Sequence, residues 1–176
     1  ATQALADQGA EVIKVEPPEG DETRGFGPAP NGHSTYYQSI NRNKRSIALD
    51  LRTEAGREVL DALIDRADAL VENFRPGVAE RLGFGWERLQ KRRPDLVYVA
   101  IHAFGAEGPE AKRPGYDIVL QAMSGTAAIT GSPGGPPTKS GASIADLTAG
   151  MLATNAVLLG LLHRARTGEG QKIVVN

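Results

Sequence analysis

The sequence predicts an α/β fold around a mostly parallel sheet. Three observations lead there. Short strand-like apolar stretches alternate along the chain with stretches whose apolar residues recur every three to four positions. The run DLVYVAIHAFG (95–105) is almost continuously apolar, as a parallel strand covered on both faces requires. The 21 glycines and 11 prolines follow no period, which indicates many tight turns and excludes a collagen-like fibre.

The elements follow in order. Residues 1–7 read as the tail of a helix stopped by Gly9, and AEVIKVE (10–16) as a short strand. Residues 17–33 form a Gly- and Pro-rich loop, long enough to predict a ligand- or partner-facing role. RSIALDL (45–51) alternates Ile47, Leu49 and Leu51 on one strand face. Thr53 is a helix cap, and Val59, Leu60, Leu63, Ile64 and Ala67 make the apolar stripe of the helix behind it. DALVENF (68–74) is a strand leaving through the turn at 75–77, and residues 86–91 are a short helix.

After the strand at 95–105 comes a second Gly/Pro loop, 105–115, and a helix is expected over 116–123. Residues 130–141 are irregular and ASIA (142–145) is expected to be extended. Asp146 then caps or begins a long helix to about Arg166, closed by Gly168. QKIVVN (171–176) reads as the opening of a strand. A helix tail at one end and a strand at the other predict a domain incomplete at both ends.

At 176 residues the chain can bury roughly 70% of its extended surface without a disulfide or metal staple. Lys+Arg total 20 against 21 Asp+Glu, a net charge of -1, so no broad nucleic-acid or membrane footprint is expected. The absence of cysteine excludes thiol nucleophiles, zinc–thiolate sites and disulfides, and fits a reducing, cytoplasmic setting. The apolar stretch 147–162 contains Gly150, Asn155 and Gly160 and is expected to be too mixed to span a bilayer.

Most single motifs are weak. Neither a Walker sequence nor a strand-linked G-x-G-x-x-G occurs. His33, His102 and His163 are scattered, so no metal site is expected. Ser124 lacks the glycines of a nucleophile elbow. Asp146 stands out, because SIADLTAG places a carboxylate at a helix start among small residues. The helix dipole there is expected to keep it ionised for nucleophilic attack, although a plain capping aspartate accounts for the same pattern. In ENFRPG (72–77) an Asn–Phe pair precedes Arg75 and Arg81, a set able to hold a nucleobase and phosphates, or simply a packed Phe beside a solvent-facing Arg.

Taken in order, six runs resemble the family III CoA-transferases, which include formyl-CoA transferase and the carnitine and bile-acid CoA-transferases. They are ATQALADQGAEVIKVEPPEGDETR, NRNKRSIALDL, ENFRPG with RLGFGWERL, PGYDIVLQAMSGTAAITG, GPPTKSGASIADLTAG and TGEGQKIVV. The resemblance spans nearly the whole chain. It implies a Rossmann-like large domain, of which 1–176 is part, in relatives about twice as long that form interlocked homodimers. It also implies a small domain and a later glycine-rich loop outside these residues.

The resemblance implies an acyl-CoA:carboxylate CoA-transferase with Asp146 as nucleophile. CoA is then a substrate and no tightly bound cofactor is needed. Asn73, Phe74 and Arg81 match CoA-contacting positions, and Gln3 lies near a segment that lines the same site. Two departures matter. The family's 2-methylacyl-CoA racemases carry a histidine before the aspartate of PGYDIVL, where this chain has Tyr116, so transfer is preferred to racemisation. Some relatives place an arginine at the position of Pro17, leaving Arg24 or Lys112 to meet phosphate. A non-catalytic CoA-binding piece is the third reading.

Overall fold

The computed structural model describes residues 1–176, which form two compact units, Ala1–Ala67 and Asp68–Asn176. Every strand pairing is parallel, as expected, but the strands divide into two sheets.

The first unit opens with α1 (Thr2–Asp7), followed by β1 (Val12–Glu16). The loop expected at 17–33 contains two short 3-10 turns, Glu22–Gly25 and Pro30–Gly32. A helix that sequence patterning missed, α2 (Thr35–Asn41), follows. Gln38 is the one strong helix former in TYYQSIN, and a side-chain cap offsets the weak propensity of the rest: Ser34 Oγ accepts the N–H of Tyr37 at 3.0 Å. Strand β2 (Lys44–Ala48) lies beside β1 with Val12 opposite Lys44 and Val15 opposite Ile47. It ends before the predicted Leu51 because Asp50 and Thr53 turn the chain into α3 (Glu54–Ile64), whose Thr53 hydroxyl accepts from Gly56 N–H at 3.1 Å.

Glu16, at the end of β1, is the polar centre of this unit. It is 3% exposed and accepts from Arg24 through both carboxylate oxygens at 2.9 Å, from Tyr37 at 2.7 Å and from Ser46 at 2.5 Å. The Arg24 guanidinium also lies 4.0 Å from the centre of the Tyr37 ring. These hydrogen bonds, led by Arg24, hold the Glu16 carboxyl far below the usual glutamate range against the opposing effect of burial.

The second unit carries β3 (Ala69–Glu72), the single-turn α4 (Val78–Arg81), α5 (Trp86–Arg92) and β4 (Val97–Ile101). Helix α6 (Asp117–Met123), α7 (Ile144–Thr167) and β5 (Gln171–Val175) complete it. The sheet order is β3-β4-β5. Its central strand is the core: Val97, Tyr98, Val99 and Ala100 are all at most 1% exposed. Helix α7 covers the sheet through Ala153, Ala156, Val157 and Gly160.

Two expectations need correction around α7. Residues 142–145 are not an extended segment: Ser143 is the cap position and Ile144 and Ala145 are already helical. A β-branched residue followed by alanine mimics a strand end, but here begins a helix. The helix Ile144–Thr167 is also long and apolar enough to cross a membrane by length and composition, contrary to the expectation drawn from its glycines and Asn155. One stripe of it lies on the sheet, while Leu147, Met151, Leu158, Leu159 and Leu162 are exposed.

Candidate active site

Asp146 occupies the third position of the first turn of α7, three residues after Ser143. A serine at that point is a favoured cap, yet its side chain makes no capping bond. Asp117, from the first position of α6, takes that role. Its Oδ1 accepts the backbone N–H of Ala145 at 2.8 Å and that of Asp146 at 3.4 Å. Gln121, one turn further along α6 and 2% exposed, holds Asp117 in place by donating to Oδ2 at 2.6 Å.

The consequence for Asp146 reverses the sequence expectation. A helix N-terminus should have held this carboxyl low, but two of the N–H groups that would do so are occupied by another carboxylate. Partial burial first, and the neighbouring Asp117 charge second, push the Asp146 carboxyl above the usual aspartate range. The side chain nevertheless reaches solvent. The arrangement therefore offers an accessible oxygen nucleophile more basic than an ordinary aspartate.

The other predicted site residues of this unit lie on two stretches. Asn73 and Phe74 directly follow β3, and both are exposed. The Phe74 backbone N–H donates to Glu72 Oε2 at 2.6 Å, and its ring meets Phe84 edge-on at 5.8 Å. Phe74 is thus packed against Phe84 on one side and open on the other, with 43% of it exposed. Arg81 ends α4, donates from Nη1 to Gly77 O at 3.2 Å, and is exposed to solvent. Lys112 is exposed in the loop after β4, and Tyr116, 72% exposed, is the cap residue of α6.

A cavity of about 240 Å³ opens beyond the carboxyl ends of β3 and β4, lined by Glu72, Arg75, Glu80, His102 and Lys172 among others. Ligands of parallel sheets gather at this edge. His102, expected in the core, is buried there with Nδ1 unpartnered and Nε2 3.9 Å from Glu72 Oε1. Burial lowers the His102 pKa and raises that of Glu72.

The remaining two predicted contacts belong to the first unit. Gln3 donates from Nε2 to the Ser39 carbonyl at 2.7 Å. Arg24 is committed to Glu16, so one face of its guanidinium is already neutralised. This weakens it as a phosphate ligand. Asp117 and Gln121 are the site residues that sequence reasoning missed. Their i, i+4 spacing was the available signal, but it cannot show that Asp117 reaches a helix 28 positions later.

Residues 1–176 match the family model described as CoA-transferase family III. This chain belongs to family III of the CoA-transferases. Its family III relatives include the acetyl-CoA:oxalate CoA-transferase of Acetobacter aceti, 45% identical over 99% of this chain and 46% of the relative. The succinyl-CoA:glutarate CoA-transferase of Mus musculus is 44% identical over 100% of this chain and 41% of that protein. Among solved structures, a CAIB/BAIF family protein from Brucella suis superposes with a TM-score of 0.93 at 44% identity, covering 97% of this chain and 47% of that one. The family III chain therefore spans less than half the length of the curated relatives it matches. The α/β class and the family resemblance of the sequence are both confirmed.

Proposed function

We propose that this chain carries the nucleophile of an acyl-CoA:carboxylate CoA-transferase, and that Asp146 is that nucleophile. The observation that carries the reading is the solvent-reaching carboxylate of Asp146 on a helix start whose N–H groups are taken by Asp117. The names of the relatives, all CoA-transferases acting between carboxylic acids, support the reaction class.

In this mechanism the Asp146 carboxylate attacks the thioester carbonyl of an acyl-CoA. The C–S bond breaks, leaving a mixed aspartyl anhydride and CoA thiolate. The thiolate attacks the aspartyl carbonyl, releasing the donor carboxylate and forming an aspartyl-CoA thioester. The acceptor carboxylate then attacks that thioester, giving a second anhydride and free thiolate. Attack of the thiolate on the new acyl carbonyl releases product and restores Asp146. Two covalent stages replace one difficult exchange. Elevated basicity of Asp146 favours its first step, since a more basic oxygen is the stronger nucleophile.

Asn73 and Phe74 would face the adenine end of CoA and Arg81 a phosphate, with Lys112 and Tyr116 as further contacts. The active form is a cytoplasmic homodimer of the complete protein in this reading, and CoA enters as substrate. Dicarboxylates are the favoured acceptors, as oxalate and glutarate in the relatives' names illustrate.

The test is to incubate the complete protein with acyl-CoA and hydroxylamine. Asp146 should be recovered as a hydroxamate, and Asp146→Asn should lose exchange while keeping CoA affinity within a few fold. Turnover without modification at Asp146 overturns the assignment. Deuterium washing into the α-carbon of a 2-methylacyl-CoA without acyl exchange would instead establish the racemase.

A further inference from the structure

Gln121 is among the largest fully buried side chains of the protein, and every polar position of its amide is used. Its Nε2 donates to Asp117 Oδ2 at 2.6 Å and to the Ala142 carbonyl at 3.4 Å, and its Oε1 accepts the Ser140 N–H at 2.7 Å. It thus joins three things: the carboxylate that caps α7, and both ends of the short segment through which the exposed loop 130–141 enters that helix. The Ser143 side chain does not cap α7, so the side-chain cap of its first turn comes from Asp117.

From this geometry we infer that Gln121 and Asp117 form a clamp that positions the nucleophile. Gln121 orients the Asp117 carboxylate and the 140–142 backbone, and Asp117 in turn holds the N–H groups of Ala145 and Asp146. Neither residue touches substrate in this role, so both are positioning residues. The inference rests on the reading of Asp146 as nucleophile. Its chemical sense is that attack on a thioester carbonyl needs near-contact alignment, and a displacement of about 1 Å can cost on the order of 100-fold. The loop before α7 is exposed through 131–139; the Thr138 N–H bond to the Ala127 carbonyl at 2.8 Å ties it to the stretch after α6, and Gln121 holds it where it enters the helix. A buried amide serves better here than an acid: a glutamate at 121 could not donate to Asp117 and would set a second negative charge against it.

The experiment compares the complete protein with its Gln121→Met and Asp117→Asn variants. Gln121→Met keeps size and removes every hydrogen bond of the Gln121 amide, whereas Asp117→Asn is isosteric and guards against a folding failure of the first. Three quantities are read: the rate of hydroxamate formation at Asp146 per folded molecule, kcat and KM for acyl-CoA, and hydrogen exchange in the peptide spanning 140–150.

Gln121→Met should slow trapping and kcat by about 10- to 100-fold, leave KM within about twofold, and speed exchange at Ala145 and Asp146. A merely structural role would lower the folded fraction while leaving the rate per folded molecule unchanged. That outcome, or unaltered exchange in both variants, overturns the clamp. Wild-type protein that turns over without labelling at Asp146 overturns the nucleophile reading and the positioning role together. Labelled wild type with unaffected variants overturns the positioning role alone.

Discussion

Asp117 caps the helix that carries Asp146, accepting the Asp146 backbone N–H at 3.4 Å across 29 positions of sequence. The same carboxylate lies close enough to raise the pKa of the Asp146 side chain. One acid thus orders the backbone of another while making it more basic.

Removal of that charge should be visible in the pH profile. Attack requires ionised Asp146, so activity falls as pH drops through its raised pKa. In the complete protein, Asp117→Asn should move the acid limb of kcat/KM to lower pH. Burial, the larger cause of the shift, remains, so the limb should stay above the ordinary aspartate range. A limb that does not move would show that the two carboxyls are uncoupled.

Arg81 should matter for binding and little for chemistry. Its guanidinium is exposed and makes one hydrogen bond to Gly77. Arg81→Ala in the complete protein should weaken CoA binding by about 1.5–3 kcal/mol, the worth of a hydrogen bond to a charged group. Calorimetry with CoA checks this, and unchanged affinity removes Arg81 from the cofactor site.

Gly160 is required for packing. A Cβ there would stand 2.5 Å from Val97 Cγ1, in the fully buried centre of β4. Alanine gains about 1 kcal/mol of helix propensity but must overpack the core at a cost of about 1–3 kcal/mol. Because Val97 has no room to yield, Gly160→Ala should lower the thermal midpoint. A higher midpoint would mean that the helix can move off the sheet.

Glu16→Gln should destabilise the first unit by about 1.5–3 kcal/mol at neutral pH, through lost hydrogen bonds to a charged acceptor. The folded-state pKa of Glu16 is lowered, led by Arg24. Its contribution is therefore fully present above the ordinary glutamate value, about 4.3, and lost as pH falls below it. Urea unfolding of wild type and variant should differ at pH 7 and converge in acid.

Much of the fold was legible because the decisive interactions are local or periodic. The near-continuous apolar run at 95–105 became the buried strand β4. Thr53 capped its helix as its residue type predicts. What escaped were elements whose stability comes from elsewhere in the chain. Helix α2 depends on Ser34, which also donates to the carbonyls of Thr23 and Phe26, and weak propensity alone gave no sign of it. Gly160 looked like an interruption in an apolar stretch and proved to be a point where the helix approaches the sheet too closely for a Cβ.

The sequence by itself determined the α/β class, the parallel pairing and the family, and it singled out Asp146. Apolar periodicity and ordered motifs are written directly into residue order. Only the tertiary structure decided the state of that aspartate. Sequence placed it at a helix start, where the dipole should lower its pKa. Folding partly buried the carboxyl and brought Asp117 to the same N–H groups, and these two effects, burial first, raise its pKa instead. Electrostatics depends on distance in space, and a carboxylate 29 residues away becomes a neighbour only once α6 and α7 are packed together.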